Sequence, residues 1–473
     1  MVVENLLVFA ALAVLTGVVV RPAYRPWLIL VASVLAVYWL QPASSIRHLD
    51  FWIPTATLAI VVLSWAVTLG KDSAQLLRGS TGTLALLGGL VLLVASGRYL
   101  HPVCCLTASV PPALGAALIA IASVGIAVYL LGVLSKRAGI AGIAILFILG
   151  VLLTLKTEPL GRAASAMLRL LAGQTPDLAQ STDLTFLGFS YIAFRLTHTI
   201  LDRAAGRLPA VPLREYVCYA TFFPALTAGP ISRAQPFLQD LNQTGRLSPA
   251  AFVAGGQRIL IGVFKKVVLA DALALVALDP RRAAQTEGSL WAWVLLYAYS
   301  LRIFLDFSAL TDIALGLARW MGIRLPENFN RPYTKTTLTA FWNSWHITLA
   351  QWVRAYVYNP LTRSLRSRAA IPSVGLIIFV GQLTTMLLIG IWHGVTVNFA
   401  LWGAWHGLGL FISNRWTELR RSRGHTGPPS VWARTAGLVL TFHFVTLGWI
   451  WFALPNPTAS LAFVRVLLGV TPR

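Results

Sequence analysis

Charge is scarce in this chain. Only 11% of its 473 residues are Asp, Glu, Lys or Arg, and 16 of them are acidic. Soluble domains carry roughly a quarter of their residues charged, so a protein solvated on every face is excluded. Cysteine is rarer still. Cys104, Cys105 and Cys218 are the only three, and they provide neither metal-ligand spacing nor a disulfide framework. The adjacent pair reads as packed thiols. No His-Glu-x-x-His and no Cys-x-x-Cys occurs, so no bound metal is expected. No Gly-x-Ser-x-Gly turn is present to raise a serine nucleophile.

What the chain has in excess is apolar residues, at 57%. About 20 apolar residues cross a bilayer as a helix. Candidate spans are 5–20, 27–40, 51–69, 82–97, 111–134, 139–155, 184–201, 258–279, 289–318, 372–392, 396–413 and 435–454, with a shorter piece at 458–470. The expectation is an all-α polytopic membrane protein of roughly 11 to 13 spanning or half-spanning helices, forming one membrane domain over residues 1–473. Glu4 precedes the first apolar run in place of a basic stretch, so that run reads as a retained helix and not a cleaved signal.

The net charge of +22 does not point to nucleic acid, which needs a solvated basic face. It follows the bias of basic residues toward the cytoplasmic side of membrane proteins. Arg21, Arg25, Lys71, Arg78, Lys136, Arg137, Arg203 and Arg207 follow alternate spans, and Arg415, Arg420, Arg421, Arg423 and Arg434 crowd one late loop. All fall on one side if the N-terminus lies outside. Arg98, Lys156, Arg162, Arg281 and Arg282 fall on the other.

Residues 1–156 hold almost no polar chemistry at membrane depth and read as scaffold. Residues 157–182, with Gly161, Gly173 and Pro176, suggest an outer loop. Residues 204–255 are broken by Pro209, Pro212, Pro224, Pro230 and Pro236. They fit a re-entrant segment bordering a cavity or an ordinary interfacial loop, since irregular backbone survives at depth only when covered by protein or lining a cavity. Arg302 and Asp306 stand four apart and pair on one helix face. Asp306 and Asp312 read as packing residues more than chemical ones.

Residues 339–359 read as one amphipathic helix stopped before Pro360. At 100° per residue, Asn343, His346, Ala350 and Arg354 share a polar face, with Trp345, Leu349, Trp352 and Tyr356 opposite. An interfacial anchor is the plain reading of such a helix. It leaves His346 and Asn343, one turn apart, without explanation. A second histidine, His393, sits in Trp392-His393-Gly394 at the end of an apolar run, and Trp405-His406-Gly407 repeats that tripeptide. Ionisable groups at membrane depth are costly and mark functional sites by default. Gly394, Gly403, Gly407 and Gly409 favour close helix approach, so His406, like His198 and His443, reads as a packed histidine bonding across helices. His48, His101 and His425 lie in loops. A neutral imidazole is a competent general base. In a dry cavity it would take the proton of a hydroxyl attacking an ester or thioester.

Several ordered motifs carry a resemblance. Asp306-Phe307-Ser308 through Asp312-Ile313-Ala314-Leu315-Gly316-Leu317-Ala318-Arg319 is one, and Leu325-Pro326-Glu327-Asn328-Phe329-Asn330-Arg331-Pro332-Tyr333 another. Phe341-Trp342-x-x-Trp345-His346-Ile347-Thr348-Leu349, Trp352-x-Arg354-x-Tyr356-Val357-Tyr358-x-Pro360-Leu361 and Gly390-Ile391-Trp392-His393-Gly394 complete the series, with Gly229-Pro230-Ile231 upstream. Together, over roughly residues 185–454, they resemble the membrane-bound O-acyltransferase (MBOAT) family. The nearest branch is the bacterial one holding the alginate O-acetyltransferase membrane subunit and the teichoic-acid D-alanyl transfer protein. The resemblance implies a ring of helices around a funnel or tunnel. It implies His393 as the catalytic histidine, His346 with Asn343 as the second polar site, and Trp345, Trp392 and Arg354 as tunnel lining. It implies an acyl thioester donor, acetyl-CoA or an acyl carrier protein, at the inner side of the cell membrane, with no resident cofactor. The acceptor would be a hydroxyl of an extracellular or cell-envelope polymer, served in some cases by a secreted esterase-like partner. The derived topology agrees: residues 324–370 lie inside and His393 nearer the outside. The chain departs from the branch at Asn343-Ser344, Ala355, Thr362-Arg363 and Ala309-Leu310, positions that bear on the inner surface more than on the histidines.

Two classes of function follow. One is an O-acyltransferase, moving acetyl to a polysaccharide or, alternatively, D-alanine to teichoic acid. The other is a non-enzymatic transporter of acyl or glycan groups. Transporters often show two-half symmetry with broken midplane helices, and no such symmetry is visible here.

Overall fold

A computed structural model describes residues 3–70, 73–100, 106–135, 137, 139–243, 245, 247–367, 373–424 and 427–470. Lys71, His101, Cys104, Cys105, Lys136 and His425 lie outside the described residues. Among those described, the chain is all-α; one isolated bridge joins Phe329 to Trp345. Five helices are long and apolar enough to cross a bilayer: Leu49–Thr68, Thr81–Tyr99, Leu114–Leu134, Val374–His393 and Val431–Ala453. A sixth span results if Ile140–Lys156 and Glu158–Leu171, bent by 94°, count as one. Other apolar stretches form shorter or interrupted helices, such as Arg25–Trp39 and Phe189–Ala204.

The direction of burial identifies the solvent. Leu114–Leu134 buries only Ala117, Val128 and Gly132, and Ile119, Ile126, Leu130 and Val133 stand on the surface. A helix that is apolar all round and outward-facing belongs in lipid. The protein is polytopic in the membrane.

The chain forms two compact units. The first comprises Met1–Arg258 and Ala314–Leu325. Its centre is Leu49–Thr68, packed by Leu114–Leu134, Phe189–Ala204 and Ile140–Lys156, with Phe51 and Trp65 wholly buried. Residues 157–182 are not a loop throughout. Glu158–Leu171 is a helix started by Pro159 in its first turn, where the missing N–H costs nothing. Asp183 docks that helix. Its carboxylate accepts hydrogen bonds from Ser165 (2.6 Å), Ser45 (2.5 Å) and the Gln180 amide (3.1 Å), and pairs with Arg169 at 3.0 Å. Burial pushes this carboxyl up. The four donors outweigh it and hold the group at about 2.

The proline-rich stretch 204–255 folds as Leu213–Thr221, a 3₁₀ turn at Phe223–Ala225 and Ala234–Leu241. Phe222, Phe223, Ala225 and Leu226 are buried, so the break is covered by protein. Ending a helix indoors strands its last carbonyls. Arg195, itself buried, satisfies them: its guanidinium donates to the carbonyls of Tyr219 (3.2 Å), Ala220 (3.1 Å) and Ala225 (2.7 Å). Nearby, His198 lies 2.9 Å from the Tyr219 hydroxyl, the cross-helix bond expected of it.

The second unit comprises Ile259–Ile313 and Pro326–Arg473. Val374–His393 and Val397–Ser422 pack along a glycine stripe. A Cβ at Gly403 would sit 2.5 Å from the Met386 carbonyl and one at Gly407 3.0 Å from Leu383 Cα. Gly394 and Gly409 are likewise closed by Phe399 and Phe444. These are the close approaches the small residues foretold.

Two expectations fail here. Asp306 pairs with Lys266 at 2.9 Å, not with Arg302, and Asp312 pairs with Lys265 at 2.7 Å. The lysines come from a π-helical stretch, Phe264–Ala270, whose wider turn puts consecutive side chains against one neighbouring helix. Nor do residues 339–359 form one helix. Leu338–Trp342 ends, the backbone reverses at His346, and Ile347–Val353 starts anew. The chain then runs through a π turn, Arg354–Tyr358, into Asn359–Arg366, with Pro360 in the first turn of that helix instead of stopping it.

Arg195→Met is expected to leave three buried carbonyls bare, at about 1–3 kcal/mol each. The predicted result is a loss of at least about 3 kcal/mol of stability, seen as a lower midpoint of thermal unfolding in detergent, with Arg195→Lys recovering part of it.

Candidate functional site

His346 stands where sequence periodicity did not put it. Its backbone is left-handed, φ 44° and ψ 51°, a conformation that costs a non-glycine residue about 1–3 kcal/mol unless its surroundings impose it. A strap built from Asn328–Asn330 imposes it. The Ile347 amide donates to the Asn328 carbonyl at 2.9 Å, and the Asn330 amide to the Ser344 carbonyl at 2.9 Å. The Asn328 side chain, wholly buried, accepts from the Thr348 hydroxyl (2.7 Å) and amide (3.2 Å). Both ends of the turn are therefore tied to the same three residues.

The reversal aims the imidazole inward. It is 4% exposed, packs on Phe307 with ring centroids 4.7 Å apart, and has no hydrogen-bond partner on either ring nitrogen. Burial in this apolar setting pushes its pKa down to about 3, so it is neutral across the physiological range.

His393 closes Val374–His393, ahead of an extended Gly394. It is half-buried among Phe452 (4.9 Å), Trp402 (5.6 Å) and Phe399 (6.2 Å). Trp392 joins the two histidines. Its ring centroid is 4.6 Å from His393 and 6.3 Å from His346, so the imidazoles are no farther apart than those two distances combined, about 11 Å.

The other expected site residues divide. Asn343 and Arg354 are brought together, the guanidinium donating to the Asn343 side-chain oxygen at 2.8 Å; a straight helix would hold residues eleven apart separated by about 16 Å. Both line a cavity of about 290 Å³ whose wall also includes Thr339, Trp342, Gln382 and Asn414. A wider recess of about 790 Å³ shares Thr339, Asn343, Tyr358, Gln382 and Asn414 and opens toward Arg415 and Arg421. The inner cavity reaches Ala350 and Ile389, one helical turn beyond His346 and before His393 respectively. Trp345 is elsewhere. Its ring packs with Phe341 (5.6 Å), Phe329 (5.2 Å) and Trp449 (5.2 Å) in an aromatic core, not against either imidazole.

His443 lies 2.8 Å from the Tyr297 hydroxyl, the cross-helix bond expected of it. His406 makes no such bond. It is fully buried between Trp402 (4.9 Å) and Trp342 (5.2 Å), and neither ring nitrogen has a hydrogen-bond partner. Sequence reasoning also missed Phe307, Phe399, Phe452 and Asn328 as neighbours of the histidines. Phe307 and Asn328 stood inside quoted motifs; Phe452, 59 residues beyond His393, gave no local signal.

The outward-facing apolar helices and the all-α fold define a polytopic integral membrane protein, here with two histidines that share one indole. Comparison with known proteins supplies the family. Residues 141–448 match the model of MBOAT, the membrane-bound O-acyltransferase family, and the chain belongs to it. Similar proteins include the probable alginate O-acetylase AlgI of Pseudomonas aeruginosa, 34% identical over 271 residues (57% of this chain, 49% of that protein). The teichoic acid D-alanyltransferase of Streptococcus thermophilus is 29% identical over 284 residues (57% and 68%). The peptidoglycan O-acetyltransferase of Helicobacter pylori is 31% identical over 259 residues (54% and 47%). The chain spans about half the length of the alginate relatives it matches.

A histidine whose pKa falls on folding binds its proton more readily when unfolded, so it stabilises the fold above its ordinary pKa of about 6.5 and less as pH drops toward 3. The unfolding midpoint of the wild type should fall between pH 7 and pH 5, and His346→Gln should fall measurably less over the same interval.

Proposed function

We propose that this chain is an O-acyltransferase that moves a short acyl group, acetyl above all, from a thioester donor at the cytoplasmic face of the cell membrane to a hydroxyl of an extracellular or cell-envelope polymer. The observation that carries this reading is the shared indole: two imidazoles no more than about 11 Å apart, with a polar cleft whose lining comes within one helical turn of each.

The chemistry assigns roles. His393 takes the proton of the acceptor hydroxyl as its oxygen bonds to the acyl carbon. The tetrahedral intermediate then expels the thiolate, the C–S bond breaks, and the imidazolium returns the proton to sulfur. His346, neutral and free of other partners on its ring nitrogens, offers an N–H to the oxyanion, where a buried donor is worth far more than in water. The aromatic walls keep water from competing as acceptor. Asn343, Arg354, Gln382 and Asn414 give the donor's amide-bearing arm hydrogen-bonding partners along the cleft. The mouth at Arg421 and at Arg415, the latter paired with Glu418, suits the phosphates of acetyl-CoA and the surface of an acidic carrier protein equally. Teichoic-acid D-alanylation from such a carrier is therefore the second reading, favoured by the likeness to a teichoic acid D-alanyltransferase. A secreted esterase-like partner completing the transfer is compatible with either.

The test uses purified protein in detergent, labelled acetyl-CoA and a polymer preparation from the host, with label followed into alkali-labile ester. The wild type is expected to transfer, and His393→Ala to lose about 100-fold or more while keeping its unfolding midpoint. Equal label with wild type and variant would remove His393 from the chemistry. The same protein in sealed vesicles, moving the acyl group across the bilayer without ester formation, would favour a transporter.

A further inference from the structure

Trp392 is the ring that touches both His346 and His393 among the described residues, and it is held there. The helix that carries it is closely packed against its neighbour. Gly390, two residues earlier, lies against the Phe399 carbonyl so closely that a Cβ would overlap it, and Gly403 is pressed against the Met386 carbonyl. Phe307 packs on His346, and Phe452 and Phe399 pack on His393. The indole therefore borders both histidines from a closely packed stretch of helix. The cleft is lined by Ala350 and Ile389, one helical turn from His346 and His393 respectively.

We propose that Trp392 sets the length of the acyl group that this chain accepts, limiting it to two or three carbons. The inference rests on the acyl-transfer reading and deepens it. For the acyl carbon to reach a hydroxyl at His393 while its oxygen faces His346, the carbons beyond it must enter the space the indole fills. A methyl group needs almost none of that space. A butyryl or hexanoyl tail needs the ring to leave, and close-packed interiors resist such overpacking. Specificity of this kind acts by rejection: the pocket gains little from acetyl and excludes what is longer.

The experiment compares kcat/KM of the full-length wild type, Trp392→Phe and Trp392→Ala for acetyl-, propionyl-, butyryl- and hexanoyl-CoA with one polymer acceptor. The wild type should decline steeply after propionyl. Trp392→Ala should raise the butyryl-to-acetyl ratio at least tenfold, with Trp392→Phe between. A merely structural role would lower all four rates in proportion and leave the ratio unchanged, and that result overturns the proposal. So does a wild type that takes hexanoyl as well as acetyl. Should Trp392→Ala fail to fold, judged by size exclusion and unfolding midpoint, Trp392→Phe and Trp392→Leu carry the comparison. A wild type that transfers none of the four overturns the acyl-CoA donor on which the proposal rests, whereas acetyl transfer with an unchanged ratio overturns the role of Trp392 alone.

Discussion

The grip of Asn328 on residues 347 and 348 is the constraint on which the site depends. One buried side chain and one carbonyl hold the turn that forces His346 into a left-handed backbone. Without that turn, Leu338–Trp342 would run on into Ile347–Val353 as one helix, and the imidazole would point with Asn343 toward the polar cleft. With it, the two residues part. Asn343 stays in the cleft beside Arg354, and His346 enters the aromatic interior against Phe307 and Trp392. A single reversal thus separates a polar cleft from an apolar, aromatic interior within four residues of chain.

Dryness has an aromatic origin. The rings around His393 and His406 meet edge to face: Trp402 packs on His393 and on Trp342, and Trp342 on His406. Such walls exclude water without offering hydrogen bonds. His406, buried among them with no partner on either ring nitrogen, is held neutral by that burial. The same walls explain why His406 is tolerated without a partner: as a neutral ring it packs like its aromatic neighbours and carries only the desolvation of two nitrogens.

The membrane class, the two histidines and the close helix pair were legible in the sequence because each rests on a local pattern. An apolar run, a Trp-His-Gly tripeptide and a glycine stripe need only their own residues to be recognised. The path of residues 339–359 was not legible. Its 3.6-residue periodicity is satisfied on paper, and the strap that breaks it comes from Asn328–Asn330, eighteen residues before His346. The same holds for Asp306. Spacing offers Arg302, and only the π stretch at Phe264–Ala270 delivers Lys266 in its place. Patterns read one element at a time assume regular helices, and this chain departs from regularity where it assembles its polar groups. Trp345 shows the converse: the motif that carries it is genuine, but its side chain serves the aromatic core.

The right-angled turn between Ile140–Lys156 and Glu158–Leu171 has a mechanical consequence. The second helix lies crosswise to the first, with Leu160, Met167, Leu170 and Leu171 on its outer face and its inner face tethered through Asp183 and Arg169. A sideways force on that outer face would pass through one ion pair to the Ser45 loop.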